Sequence, residues 1–101
     1  MKVLYGAAIT LAKPNGRLLR TFKVTLTTGS DAGGVVELWR KAANGSWRLV
    51  SRRGAATVAG TPLTMAFKVE VRRTTQFRAK YSGDARTWEA ASAPRTVRPA
   101  R

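Results

Sequence analysis

The side chains able to do acid–base chemistry are few. Asp31, Glu37, Glu70, Asp84 and Glu89 are the carboxylates of a 101-residue chain that has no histidine and no cysteine. The commonest general base and the strongest nucleophile are therefore absent. Asp84 and Glu89 lie close in sequence, but the arginines around them favour the ionised form of both and poise neither as an acid. The turn at Gly83-Asp84 has a sufficient structural reason, since aspartate bonds its own backbone in such turns. A calcium site needs about six to eight converging oxygens, which five scattered acids do not supply. Gly29 to Gly34 does not follow the spacing of a phosphate-binding loop. The expectation is a protein without catalysis, cofactor or metal.

The basic residues carry the remaining chemistry. Nineteen Lys and Arg oppose five acids, a net charge of +14, and thirteen of the nineteen are arginine. Arginine forks suit bidentate contact with phosphate or carboxylate, so a polyanionic partner is one reading: nucleic acid, an anionic wall polymer or an acidic membrane surface. The plainer reading is a solvated surface whose charge keeps the chain soluble. Trp39 beside Arg40 has the chemistry to stack on a sugar or a base. The alternative is a tryptophan that covers a sheet face and packs on arginine stems. The candidate ligand contacts are Trp39, Arg40, Arg78 and Lys80. Without cysteine there is neither a disulfide framework nor a thiolate site, which leaves the compartment open.

The elements that must position these residues are strands. From Thr64 to Asp84, Met65, Phe67, Val69 and Val71 alternate with Ala66, Lys68, Glu70 and Arg72. Phe77, Ala79 and Tyr81 then alternate with Gln76, Arg78 and Lys80. Each run has one apolar and one charged face. Arg20 to Thr28 repeats the pattern with Phe22, Val24 and Leu26 inward. Val35 to Lys41 directs Val36 and Leu38 inward and Glu37 and Trp39 outward. It turns through Ala42 to Ser46, where Asn44-Gly45 tolerates positive φ. Trp47 to Ser51 returns with Trp47 and Leu49 at the core.

The remaining segments are shorter. Met1-Lys2 before an apolar stretch looks like a brief leader, but Tyr5-Gly6 interrupts it. Ile9 and Leu11 are read instead as a first edge strand, closed by a turn at Lys13 to Gly16. Ala55 to Ala59 is a candidate edge strand ended by Gly60-Thr61-Pro62. Trp88 is expected to plug an end, and a last strand runs from about Ala91 to Val97 with Pro94 on an edge. No segment approaches the roughly 18 apolar residues of a membrane span. Seven or so strands with turns about every ten residues indicate an all-β sandwich or barrel occupying residues 1–98, with a basic tail at 99–101. On a sandwich, Lys23, Lys68 and Arg72 share one sheet, and Arg78 and Lys80 lie on the other near Arg40.

Tyr5-Gly6 with Ile9-Thr10-Leu11, Val36-Glu37-Leu38 and Gly45-Ser46-Trp47 resemble the bacterial immunoglobulin-like repeat domains of secreted and surface proteins, actinobacterial ones in particular. The fullest match is Thr74 to Ala79 with Tyr81-Ser82-Gly83-Asp84 and Ser92-Ala93. The resemblance implies an immunoglobulin-like antiparallel β-sandwich of about seven strands, one module among several in an extracellular chain. Such modules serve as spacers, stalks or adhesion units and have no catalytic residues to carry over.

The expected function is thus a non-catalytic spacer or adhesion module of a secreted or cell-surface protein. Its partners would be the neighbouring domains of a larger chain, with weak contact to an anionic wall polymer or glycan. An accessory domain of a secreted hydrolase shares the fold. The alternative of a different kind is a basic β-domain that binds nucleic acid through backbone phosphates, which calls for one continuous arginine face around Trp39.

Overall fold

The computed structural model describes residues 5–16, 19–85 and 87–98; of Asn15 only the backbone is described. The alternating runs form strands as their apolar periodicity requires. These are β1 (Ala7–Leu11), β2 (Asn15–Gly16), β3 (Leu19–Thr28), β4 (Val35–Lys41), β5 (Trp47–Gly54), β6 (Leu63–Glu70), β7 (Thr75–Tyr81), β8 (Ala90–Ala91) and β9 (Arg95–Val97). One sheet centres on β3, with β1 and β2 along one side and β6 along the other. The second runs β5-β4-β7, with β8 and β9 both paired to β7. All these pairings are antiparallel. Since β1 with β2, and β8 with β9, each make one interrupted edge, the segments occupy seven lanes of an immunoglobulin-like sandwich.

Between the sheets, Phe22, Val24 and Leu26 of β3 and Phe67 and Val69 of β6 meet Val36, Leu38, Phe77, Ala79 and Tyr81. Ile9, Leu11, Val71 and Val97 complete the core, and Met65 packs against it half-buried. Phe22 and Phe77 touch across the gap, with ring centroids 4.6 Å apart at 42°. At the open side between β5 and β6 the Arg53 guanidinium lies 5.1 Å from the Phe67 ring centroid. It covers the core there with a flat cation whose stem is apolar.

Four expectations are corrected. Trp47 and Leu49 are not core residues: Leu38 pairs with Ser51 but Trp39 with Leu49, so Val50 is an extra residue that bulges β5. The bulge reverses the parity of the strand. Val50 packs on the core while Leu49 is 45% exposed. No turn forms at Lys13 to Gly16: Asn15 and Gly16 still pair antiparallel with Thr21 and Arg20, so β2 continues along β3 in the direction of β1. Gly16 has φ 107°, and a Cβ there would stand 2.4 Å from the Leu19 carbonyl oxygen. Ala55 to Ala59 forms no strand, only single bridges of Thr57 to Ala32 and Val58 to Thr61. Trp88 is no plug, being 58% exposed; Thr87 is the buried residue there. The tail at 99–101 and the first four residues lie outside the described residues.

The described chain enters at Tyr5, beside the loops 29–34, 55–62 and 82–89, and leaves at Arg98, beside the turn 42–46 and the link 71–74. These are opposite poles of a body measuring 51 × 26 × 18 Å. At the Tyr5 pole the Tyr81 hydroxyl donates to the Gly33 carbonyl. Burial first, and the Asp84 carboxylate second, push its pKa above the ordinary value of 10.0. The neutral phenol is thus favoured by folding, so its contribution is complete below about pH 10 and is lost as pH rises toward the folded pKa. Urea unfolding followed by tryptophan fluorescence should show stability falling as pH rises above about 10. Tyr81→Phe should cost about 1 kcal/mol at pH 7 and flatten that decline. An equal decline in both proteins would overturn the assignment to Tyr81.

Candidate functional site

The residues singled out from the sequence divide between two places. Register puts Trp39 opposite Arg78 and Glu37 opposite Lys80 on β4 and β7. Directly opposed residues share a face, so all four lie on the outer side of the sheet. The parity change in β5 brings Trp47 and Leu49 to the same side. The Lys80 ammonium sits 5.1 Å from the Trp39 ring centroid, and the Arg78 guanidinium 4.6 Å from that of Trp47. Trp39 Nε1 donates to Glu37 Oε1 at 3.3 Å. The outer face is therefore a set of aromatic rings capped by cations. A sugar or base stacking on the Trp39 face that Lys80 covers would have to displace the ammonium.

Arg40 does not join them. It stands opposite Phe77 and Arg48, on the inner-facing parity of β4 where the sandwich opens at the Arg98 pole. There it lines a cleft of about 440 Å³ with Lys41, Arg48, Arg72 and Arg73, over a floor of Val71 and Phe77. Sequence reading missed Lys41, Arg48, Arg72 and Arg73 as a group, because it sorted charge by sheet face and not by pole. The usable signal was positional: Arg40-Lys41 and Arg48 flank the Asn44-Gly45 turn, and Arg72-Arg73 fill the link to β7. Lys23 and Lys68 do share the outer face of the other sheet, since Lys68 pairs with Thr21 two residues from Lys23.

The acids have structural tasks. Asp31 Oδ1 accepts from the Ala59 amide at 2.9 Å and Asp84 Oδ2 from the Gly33 amide at 2.8 Å, tying loops together at the Tyr5 pole. Glu70 accepts from Nε and Nη2 of Arg72 at 3.1 and 3.0 Å. Among the described residues no three or more potential metal ligands converge, and no helix is long and apolar enough to cross a membrane.

Arg78 Nε is buried without a hydrogen-bond partner, so the ring beneath its guanidinium bears more on its placement than a polar contact does. The Trp39–Lys80 contact offers the simplest measure of these capped rings. A double-mutant cycle of Trp39→Ala and Lys80→Ala in urea unfolding should give a coupling of about 0.5–1 kcal/mol. A coupling near zero would mean that the ammonium leaves the ring free in solution.

No family model matches the sequence, and no curated protein matches it. Solved structures do match in shape. A β-glucosidase from Listeria innocua has a TM-score of 0.63 at 14% identity over 96% of this chain and 16% of its own. A GH3 β-glucosidase from Bifidobacterium adolescentis has 0.58 at 15% identity, over 92% and 17%. A β-glucosidase from Kluyveromyces marxianus in complex with glucose has 0.56 at 11%, over 92% and 14%. The likeness is one of fold: this chain spans about one-sixth of the length of those proteins, and its sandwich corresponds to one part of larger chains.

Proposed function

We propose that the chain is a non-catalytic immunoglobulin-like module of a secreted or surface-attached bacterial protein, a spacer or adhesion unit with weak electrostatic contact to anionic wall polymers. The observation that carries this reading is the placement of the described ends at opposite poles of the sandwich. Segments attached at Tyr5 and Arg98 would be held apart by the length of the strands, as a spacer requires. The correspondence with a small part of larger chains supports neighbouring domains in the same molecule. The carboxylates support a non-catalytic role, because four of the five are engaged in hydrogen bonds that hold loops or neighbouring side chains.

The nucleic-acid reading asked for a continuous arginine face around Trp39. That ring is instead capped by Lys80, so no observation of the site favours it.

Two measurements test the proposal. The protein should leave 4-nitrophenyl β-glucoside unhydrolysed; turnover that co-purifies with it would overturn the non-catalytic role. Poly(glycerol phosphate) should bind in 0.05 M salt and dissociate on the order of tenfold more readily in 0.3 M, because exposed charges are screened over about 10 Å at 0.1 M. A neutral glycan should not bind in either. Salt-independent binding of the neutral glycan would replace the electrostatic contact with a lectin-like one.

A further inference from the structure

The basic residues are gathered at one pole more than on either sheet. Arg40, Lys41 and Arg48 come from the β4–β5 hairpin of one sheet, and Arg72 and Arg73 from the link that leaves the other. The cleft between them holds five cations and one carboxylate, Glu70, which Arg72 already engages. Among the described residues no carboxylate pairs with Arg40, Lys41, Arg48 or Arg73. The Tyr5 pole carries Asp31, Asp84 and Glu89 in its loops, so the acids that might neutralise the cleft lie at the opposite end.

Arg40 and Arg48 add a second observation. They stand directly opposite one another across β4 and β5, a spacing of about 4.5–5.5 Å between Cβ atoms at which like charges repel. Both are exposed, and among the described residues neither has a hydrogen bond or an ion pair to hold its guanidinium in that position. The arginines on the neighbouring flank of the same pole differ. Arg95 Nε donates to the Leu11 carbonyl at 3.1 Å and Arg20 Nη2 to that of Arg98 at 2.7 Å. Those two hold backbone in place, whereas among the described residues no acceptor engages the forks of Arg40, Arg48 or Arg73, and Arg72 alone of the cleft's arginines is held, by Glu70.

We propose that this cleft is the polyanion-binding site of the protein, and that its ligand is a linear polymer of backbone phosphodiesters without stacking bases, such as a polyol phosphate. The inference rests on the reading of the chain as a module that contacts anionic polymers, and it names where and how. The guanidinium groups of Arg40, Arg48 and Arg73 each take a phosphate through two parallel hydrogen bonds. Cations drawn from both sheets face successive phosphates of one strand, and the ligand's charge relieves the repulsion between Arg40 and Arg48. The site offers no platform for a base: Phe77 is 1% exposed at the floor, and Trp47, on the outer face, is covered by Arg78. Single-strand binders draw much of their affinity from such stacking, so a base-bearing strand has no advantage here.

The test compares two triple variants of equal charge. Arg40→Gln/Arg48→Gln/Arg73→Gln removes three of the cleft's five cations, and Lys23→Gln/Lys68→Gln/Arg52→Gln removes three charges from elsewhere on the two sheets. Anisotropy of end-labelled poly(glycerol phosphate) and of oligo(dT) of equal charge is read from 0.05 to 0.3 M salt. Thermal melting checks the fold, and the cleft variant should melt no lower than wild type because a repulsive pair is gone. The cleft variant should lose at least about tenfold in affinity for the polyol phosphate and reduce the slope of log affinity against log salt by about 2. The sheet variant should lose less than about threefold. Equal losses in the two variants would overturn the site while leaving the electrostatic module intact. Failure of wild type to bind either polymer at 0.05 M would overturn the module reading itself. Tighter binding of oligo(dT) with tryptophan quenching would overturn the base-free ligand in favour of single-stranded nucleic acid.

Discussion

Phe22 of β3 and Phe77 of β7 meet in the gap between the sheets, and the rest of the molecule depends on that contact being kept dry. Each ring comes from the middle lanes of its own sheet, so bringing the pair together requires both sheets to be formed and face to face. Leu38, Val36 and Phe67 fill in around them because strand parity sends every second side chain inward. The two sides that remain open are closed differently. Arg53 lies over Phe67 on one, and β1 and the interrupted β8–β9 edge meet on the other, through the bridge of Tyr5 to Thr87.

With the interior committed to apolar contact, charge is left to the outer faces and the poles, and geometry decides what it does in each. On the outer face of β4, β5 and β7, cations find tryptophan rings and become part of the packing. At the Tyr5 pole, carboxylates accept from loop amides. At the Arg98 pole the strands end, and among the described residues no carboxylate pairs with Arg40, Lys41, Arg48 or Arg73, so that charge stays available. The same side-chain type is thus structural in Arg78 and Arg95 and unengaged in Arg40.

The strand pattern was readable from the sequence wherever alternation was strict, as in Phe22-Val24-Leu26 or Phe77-Ala79-Tyr81, because period two allows one orientation against a core. It failed in β5, where Leu49-Val50 fits either parity and the bulge that resolves it depends on the partner strand. Ile9 and Leu11 were legible as a strand, and their burial follows from the edge lane they occupy beside β3. Trp88 could not be placed by type, since a large aromatic in a loop packs only if a cavity awaits it, and Thr87 fills that position. The candidate site was half legible: Trp39, Arg78 and Lys80 share a face as register demands. Arg40 was lost because its companions come from a turn and a link distant in sequence.

The positions of the two described ends have a mechanical consequence. β1 runs away from the Tyr5 pole and β9 runs toward the Arg98 pole, so tension applied at the two ends would act along the strands. The hydrogen bonds of β1 to β3 and of β7 to β9 lie across that direction and would be loaded together in shear. Peeling them one at a time would require a pull from the side. A sandwich connected in this way resists stretching with whole ladders of bonds at once, whatever is tethered at either end.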